Sequence, residues 1–304
     1  MTDPVVELPT AALAPLQSAR FPDGYGDFAL QSSDGVVFHI AKFLLGYTSP
    51  VFRDMFEISA FSASDKEGTE VAPQGQQAPP VRVTEEADTL DQMLRHIDPK
   101  QPTPILNESS IGTLLEAARK YQIGTIMAWF EGECMKHVEY PNNPTPGKSL
   151  MTRNPLLVLA LATEYDMPTL GQLAACAIVG GEVELLQKDV NMPLKLYRHV
   201  YGLREERIQW YLQRIGNIAN KRHRGKPVQP AVCLCSGTRS GWIHDLMKVV
   251  LVAPTWSRFV AEVKSPLRSC RPGCSEWSIQ VEEDMMVWSH EAVILESALP
   301  VLPS

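Results

Sequence analysis

The residues in this chain that could do chemistry are cysteines and histidines. Cys233-Leu234-Cys235 and Cys270-Arg271-Pro272-Gly273-Cys274 form two close pairs, about 35 residues apart. Four thiolates could hold a structural zinc in tetrahedral geometry, whose ligand pairs are usually separated by two to four residues. The second pair fits that spacing. The first, with one intervening residue, does not, and favours four reduced thiols over a zinc-stabilised region. Cys134 and Cys176 fall on apolar helical faces and read as core. His39 reads as an exposed alternating position of a strand, while His96, His137 and His199 are scattered singly on helices. None stands in His-x-x-x-His spacing or beside an acidic pair that would make a metal site or a catalytic base. Lys221-Arg222-His223-Arg224-Gly225-Lys226 is a short basic run. It reads as a solvated loop, with a nuclear-localisation or anion-binding patch as the alternative. There is no phosphate-cradling Gly-rich loop, nucleophile elbow or dinucleotide fingerprint. No catalytic, cofactor-binding or metal-ligating residue is therefore assigned, and no cofactor or enzymatic activity is expected.

The 304 residues suffice for about two domains, and 44% hydrophobic with 21% charged residues places them among soluble globular chains. A formal net charge of −7 argues against a nucleic-acid partner. No apolar run is long enough to span a membrane. The first residues, MTDPVVELPTAALAPLQS, lack the basic start and long apolar run of a secretory signal. The expected address is cytoplasm or nucleus, where thiols stay reduced. Asn107-Glu108-Ser109 matches a glycosylation acceptor, but reads as the approach to a helix.

The elements are organised around Ser32–Phe56. Ser33-Asp34-Gly35 is turn chemistry between two β-prone runs, Asp27–Gln31 and Val36–Ile40, which pair best as a hairpin. From Lys42 the pattern becomes helical, with Phe43, Leu44, Leu45 and Tyr47 giving an apolar side. Ser49-Pro50 restarts a helix, Ser as cap and Pro at the first helical position. Val51, Phe52, Met55 and Phe56 follow at helical spacing.

That wording resembles the start of a BTB (POZ) domain, in particular the BTB proteins of fungi. Asp27-Phe28-Ala29-Leu30, Ser33-Asp34-Gly35, Phe38, Lys42 and Ser49-Pro50-Val51-Phe52-Arg53-Asp54-Met55-Phe56 match the family's order of motifs. Ala41 stands where the family has His. The resemblance implies that Asp27 and Lys42 are the charged pair the family keeps near its dimer interface.

Residues 1–20 read as a flexible lead-in, with no match to the helix that many family members exchange between dimer partners. Ser62–Pro80 loses almost every large apolar side chain and reads as a mobile insertion. A strand at Val81–Val83 is expected next, then a helix capped by Asp88, with Leu90, Met93, Leu94 and Ile97 as its stripe and a stop at Asp98-Pro99. Asp98 occupies the place of a Tyr usual in the family. Ser109 or Ser110 opens a further helix with Ile111, Leu114, Leu115 and Ala118 inward. Leu115–Ile123 again resembles the family, and Thr125 is expected to cap the following helix, with Ile126, Trp129 and Phe130 inward.

Leu159–Met167 can be laid on Leu115–Ile123 at an offset of about 44 residues, and Thr169 then corresponds to Thr125. Two helical hairpins stacked side by side are expected. Tyr140–Lys148 breaks the chain between them, and Gly180-Gly181 ends the second. Leu194–Asn220 reads as a helix packing through Leu196, Val200, Leu203, Ile208, Tyr211, Leu212 and Ile215. Trp242–Val263 is expected to hold one or two helices interrupted by Pro254, and Met285–Leu299 the last helix.

The expected fold is α+β. Its parts are a lead-in (1–20), a BTB/POZ domain (21–138, insertion at 62–80) with a short β-sheet flanked by helical hairpins, a linker (139–149) and a mainly α-helical C-terminal region (150–304). The resemblance implies a non-catalytic protein–protein interaction module that self-associates as a homodimer, recruits a partner, or both. Family roles include substrate adaptor of a cullin-type ubiquitin ligase, with a cullin as partner, and transcriptional regulation. A structural or regulatory protein with a zinc-stabilised, Cys-rich C-terminal region is the alternative.

Overall fold

The hairpin forms as its turn chemistry dictates. Strand β1 (Phe28–Gln31) runs antiparallel to β2 (Val37–Ile40), with Leu30 opposite Phe38 and Ala29 opposite His39. Gly35 takes φ +89°, open to glycine without a Cβ clash. The Ser32 hydroxyl accepts the Val36 N–H at 2.9 Å. Just before β1, the chain at Gly26 passes so close to Ile40 that a Cβ there would lie 2.1 Å from the Ile40 carbonyl carbon.

The computed structural model describes residues 16–64, 79–136, 149–182, 190–220, 235–267 and 275–298, together with 184, 186 and 302. The chain divides into two units, residues 1–130 and 131–304.

In the first unit, strand β3 (Val81–Arg82) pairs parallel to β1, giving the order β2-β1-β3. Residues 16–21, which composition groups largely with the lead-in, line the other edge of β2. The Val37 N–H donates to the Leu16 carbonyl, the Ser18 N–H to Val37 and the His39 N–H to Phe21, at 2.7 to 2.9 Å. All four residues of β2 are also buried. His39 is therefore not an exposed position: an outward alternating residue needs a sheet face open to water, and β2 has none.

Helix α1 (Lys42–Thr48) is followed by α2 (Pro50–Ser64), which runs three residues into the stretch expected to be an insertion. Residues 65–78 of that stretch lie outside the described residues. Ser49 caps α2 as expected. Its hydroxyl accepts the Phe52 N–H at 3.2 Å and donates to the Tyr121 carbonyl at 2.6 Å, fully buried. Phe52 stacks on the Tyr121 ring, centroids 4.8 Å apart. The apolar side expected of α1 does not form as such, because only Leu45 is buried. Phe43 and Tyr47 each lie about 200° round the helix from Leu45, on its outer side.

Helix α3 (Ala87–Ile97) buries Leu90, Met93, Leu94 and Ile97, each worth about 1.5–3 kcal/mol against exposure. Asp88 does not cap it; its carboxylate accepts from Gln92 within the helix. The cap comes from the hairpin turn, where the Asp34 carboxylate accepts the Ala87 N–H at 3.0 Å. At the far end, buried Asp98 accepts from the Tyr25 phenol at 2.5 Å and from the Lys100 N–H at 2.9 Å.

Helix α4 (Ile111–Lys120) leads through a tight turn into α5 (Gly124–Met135). In the second unit, after the short α6 (Leu150–Arg153), α7 (Pro155–Glu164) and α8 (Pro168–Gly180) pack together as a helical hairpin. The two turns share one geometry at the offset of 44 residues. Gln122 and Asp166 both take φ +54°. The Ile123 N–H reaches back to Ala118 and the Met167 N–H to Ala162, both at 2.8 Å, the six-to-one bond of a Schellman stop. Thr125 and Thr169 do not cap the second arms. Both helices begin one residue earlier, at Gly124 and at Pro168, which suits a first helical position.

The second unit continues with α9 (Leu194–Asn220), α10 (Cys235–Val252), α11 (Trp256–Leu267) and α12 (Ser275–Ser297). Residues 253–255, around Pro254, separate α10 from α11 as expected. Helix α12 starts ten residues before the expected Met285, because both of its sides carry apolar residues and no 3.6-residue alternation marks its beginning. Tyr211, Ile215, Leu246, Val250, Phe259, Val263, Val281 and Met285 form the core of this unit.

Two arginines lie inside this second unit. Arg204, 4% exposed, donates to the carbonyls of Ile178, Val179 and Gly181 at the end of α8, and of Leu251 and Val252 at the end of α10. Arg207 reaches the Leu295 carbonyl near the end of α12 at 3.0 Å. The last carbonyls of a helix have no partner within it and carry its negative pole. Three such ends therefore meet cations on α9.

Arg204→Met should leave up to five carbonyls without their partner and cost about 3–5 kcal/mol in urea unfolding; a loss below 1 kcal/mol would show the contacts to be incidental. Gln122→Gly and Asp166→Gly should each raise stability by about 0.5–1 kcal/mol, because glycine accepts positive φ without the Cβ penalty; destabilisation would contradict the shared turn.

Candidate interaction surface

Helices α1 and α2 hold a groove of about 610 Å³ lined by Asp27, Lys42, Phe43, Tyr47, Arg53 and Phe56. Its position is set by two interactions. The Asp27 carboxylate, just before β1, accepts the Lys42 N–H at 2.7 Å and so caps α1 across the hairpin. Leu45 anchors the helix from its inner side. The Lys42 ammonium lies over the Phe56 ring at 4.7 Å, and Phe56 meets Phe28 edge-on at 4.9 Å. The charged pair implied by resemblance is thus brought together, but its recorded hydrogen bond is carboxylate to backbone.

The rim of the groove is apolar and open. Phe43 and Tyr47, one helical turn apart, stack with centroids 5.9 Å apart and are 75% and 79% exposed. Ile58 on α2 is exposed as well. Exposed aromatic side chains are enriched where protein surfaces meet partners.

The other residues singled out by type are not brought together. His96 lies against Trp129, ring centroids 4.5 Å apart, with no partner on Nε2. His39 Nδ1 stands 3.7 Å from the Asp23 carboxylate, and His199 is on α9. Cys134 is buried, and burial with Glu133 and Glu131 nearby pushes its thiol up to about 12. Cys176 is half-buried rather than core; burial raises its thiol pKa against the opposing pull of Arg207. Neither is a thiolate poised for reaction. His137, the basic run 221–226, Cys233, Cys270, Cys274 and the side chain of Cys235 lie outside the described residues, as does the stretch 140–148. Among the described residues no group of three or more His, Cys, Asp or Glu could hold a metal ion, and no helix is long and apolar enough to cross a membrane.

Burial, reinforced by the adjacent Arg95, lowers the pKa of His96 from 6.5 to about 4. The unfolded chain therefore takes up this proton near pH 6.5 and the folded chain only near pH 4. The stability tied to neutral His96 is complete above pH 6.5 and is lost as pH falls between those values. Urea unfolding should show lower stability at pH 5 than at pH 7, and His96→Phe should shrink the difference while keeping the contact with Trp129. An undiminished difference would place the sensitivity elsewhere.

A family model described as BTB/POZ domain matches residues 16–137. Comparison with curated proteins and with solved structures gives no match. The match begins at Leu16, where pairing along β2 begins, and ends just past α5. Residues 16–137 are therefore a BTB/POZ domain, a generally non-catalytic protein-interaction fold, and they are followed in this chain by a helical C-terminal region.

Proposed function

We propose that this chain is a non-catalytic adaptor. Its BTB/POZ domain self-associates through the α1/α2 face and recruits a cullin-type ubiquitin ligase, while the helical C-terminal region chooses the target. The observation that carries this reading is the exposed Phe43–Tyr47 stack on the rim of the α1/α2 groove. Two aromatic rings held on a capped, anchored helix touch each other yet leave most of their area in water, and burying them against a second surface recovers that area. Two units, each with its own core, suit an adaptor that assembles through one and binds a target through the other. Such a role belongs to the cytoplasm or nucleus. The Ser49–Phe56 wording supports a place among fungal-type members of the family.

Phe43→Asp combined with Tyr47→Asp should lower the mass measured by light scattering while leaving the thermal midpoint nearly unchanged, since both side chains are exposed. An unchanged mass would remove this face from self-association. The unaltered chain should also bind the N-terminal arm of a BTB-specific cullin with micromolar or tighter affinity. No binding at tens of micromolar would end the ligase-adaptor reading and leave self-association standing.

A further inference from the structure

Helix α12 has a second apolar face. Its inner side is Val281, Met285, Trp288 and Ala292, all buried. With 100° per residue, Ile279, Met286, Val287, Val293 and Ile294 fall on the opposite side, and they are 52% to 72% exposed. Glu283 and His290, also exposed, lie on the same strip. Single exposed apolar residues are ordinary, whereas five in one stripe about 22 Å long call for a partner.

The stripe is complementary to itself when turned end for end. Rotation about a two-fold axis between Met286 and Val287 brings Met286 of one copy level with Val287 of the other and Ile279 level with Ile294. Glu283 then comes level with His290. Apolar residues meet apolar ones in the middle and in the Ile279–Ile294 pairs, Val293 comes level with Gln280, and the acidic position meets the basic one on each side. Ile279, Met286 and Val293 recur every seven residues, the spacing that keeps a seam facing a second helix. Antiparallel helices also set their dipoles in favourable opposition. A parallel pairing would place Glu283 against Glu283.

We propose that α12 docks antiparallel on α12 of a second copy of this chain, in a two-fold, isologous contact. This surface is independent of the α1/α2 face. An unrelated amphipathic helix could cover the apolar residues, but would have no reason to match the Glu283–His290 order.

The test uses the full chain carrying Phe43→Asp and Tyr47→Asp, so that association through the BTB/POZ domain is removed. Its mass should still rise with concentration towards two chains, and Met286→Glu with Val287→Glu should return it to one. Glu283→Lys should weaken the dimer, and adding His290→Glu should restore it. Under mild oxidation, Met286→Cys should give a crosslinked dimer above the level from the natural cysteines. Ile279→Cys alone should not, whereas Ile279→Cys with Ile294→Cys should. A single-chain mass at every concentration, a mass insensitive to Met286→Glu and Val287→Glu, or crosslinking by Ile279→Cys alone would overturn the proposal. So would a fall in thermal stability with no change of mass, which would show the stripe covered by the chain's own residues. Failure of the α1/α2 reading appears separately, as an unchanged mass in Phe43→Asp, Tyr47→Asp chains whether or not α12 is altered.

Discussion

The structure depends on supplying partners for backbone groups at helix ends. Each helix leaves its first N–H and last C=O groups without an intrahelical partner, and this chain has many short helices. Several of its helix ends are satisfied from far away in sequence. Asp34 in the hairpin turn serves the start of α3, and Asp27 serves α1. Ser49 serves α2 while its proton binds the turn after α4. In the second unit Arg204 takes the ends of α8 and α10. Glu296 accepts the Trp256 N–H at the start of α11 at 2.6 Å, and also the Tyr211 hydroxyl at 3.0 Å. Each such cap contributes about 1 kcal/mol, but it does so only when remote segments are assembled. The caps therefore couple formation of single helices to formation of each unit.

This coupling bears on function. Helix α1 has seven residues, too short to persist alone. Capped by Asp27 and anchored by Leu45, it holds Phe43 and Tyr47 in a fixed stack before any partner arrives. A surface ordered in advance loses less conformational entropy on binding. In the second unit, the arginines of α9 gather three helix ends inside, leaving the outer side of α12 without a neighbour among the described residues.

Local and periodic features were legible in the sequence. The hairpin with Gly35, the Ser49-Pro50 restart, the Leu90–Ile97 stripe, the bounds of α9 and the break at Pro254 all follow from residue type and spacing, and so does the repeated turn 44 residues apart. What stayed hidden depends on remote segments. Asp88 has the right type and place for a cap, yet Asp34 does the work because the hairpin turn lies against α3. His39 alternates as an outward residue should, yet it is buried, with its Nδ1 beside the Asp23 carboxylate. Phe43 and Tyr47 read as part of an apolar side of α1, because hydrophobic periodicity finds a face without saying whether a neighbour covers it. Arg204 and Arg207 stood out by no local pattern, since nothing near them in sequence shows that helix ends converge on them. The same limit hid α12, whose exposed face is as apolar as its buried one.

Self-association is the claim on which the functional account rests, and the mass of the unaltered chain in solution tests it most directly. Light scattering over a dilution series should give at least twice the 33.8 kDa of one chain at high concentration, falling as the protein is diluted. A mass of one chain throughout the series would contradict it, and the exposed aromatic stack of α1 would then need a different partner.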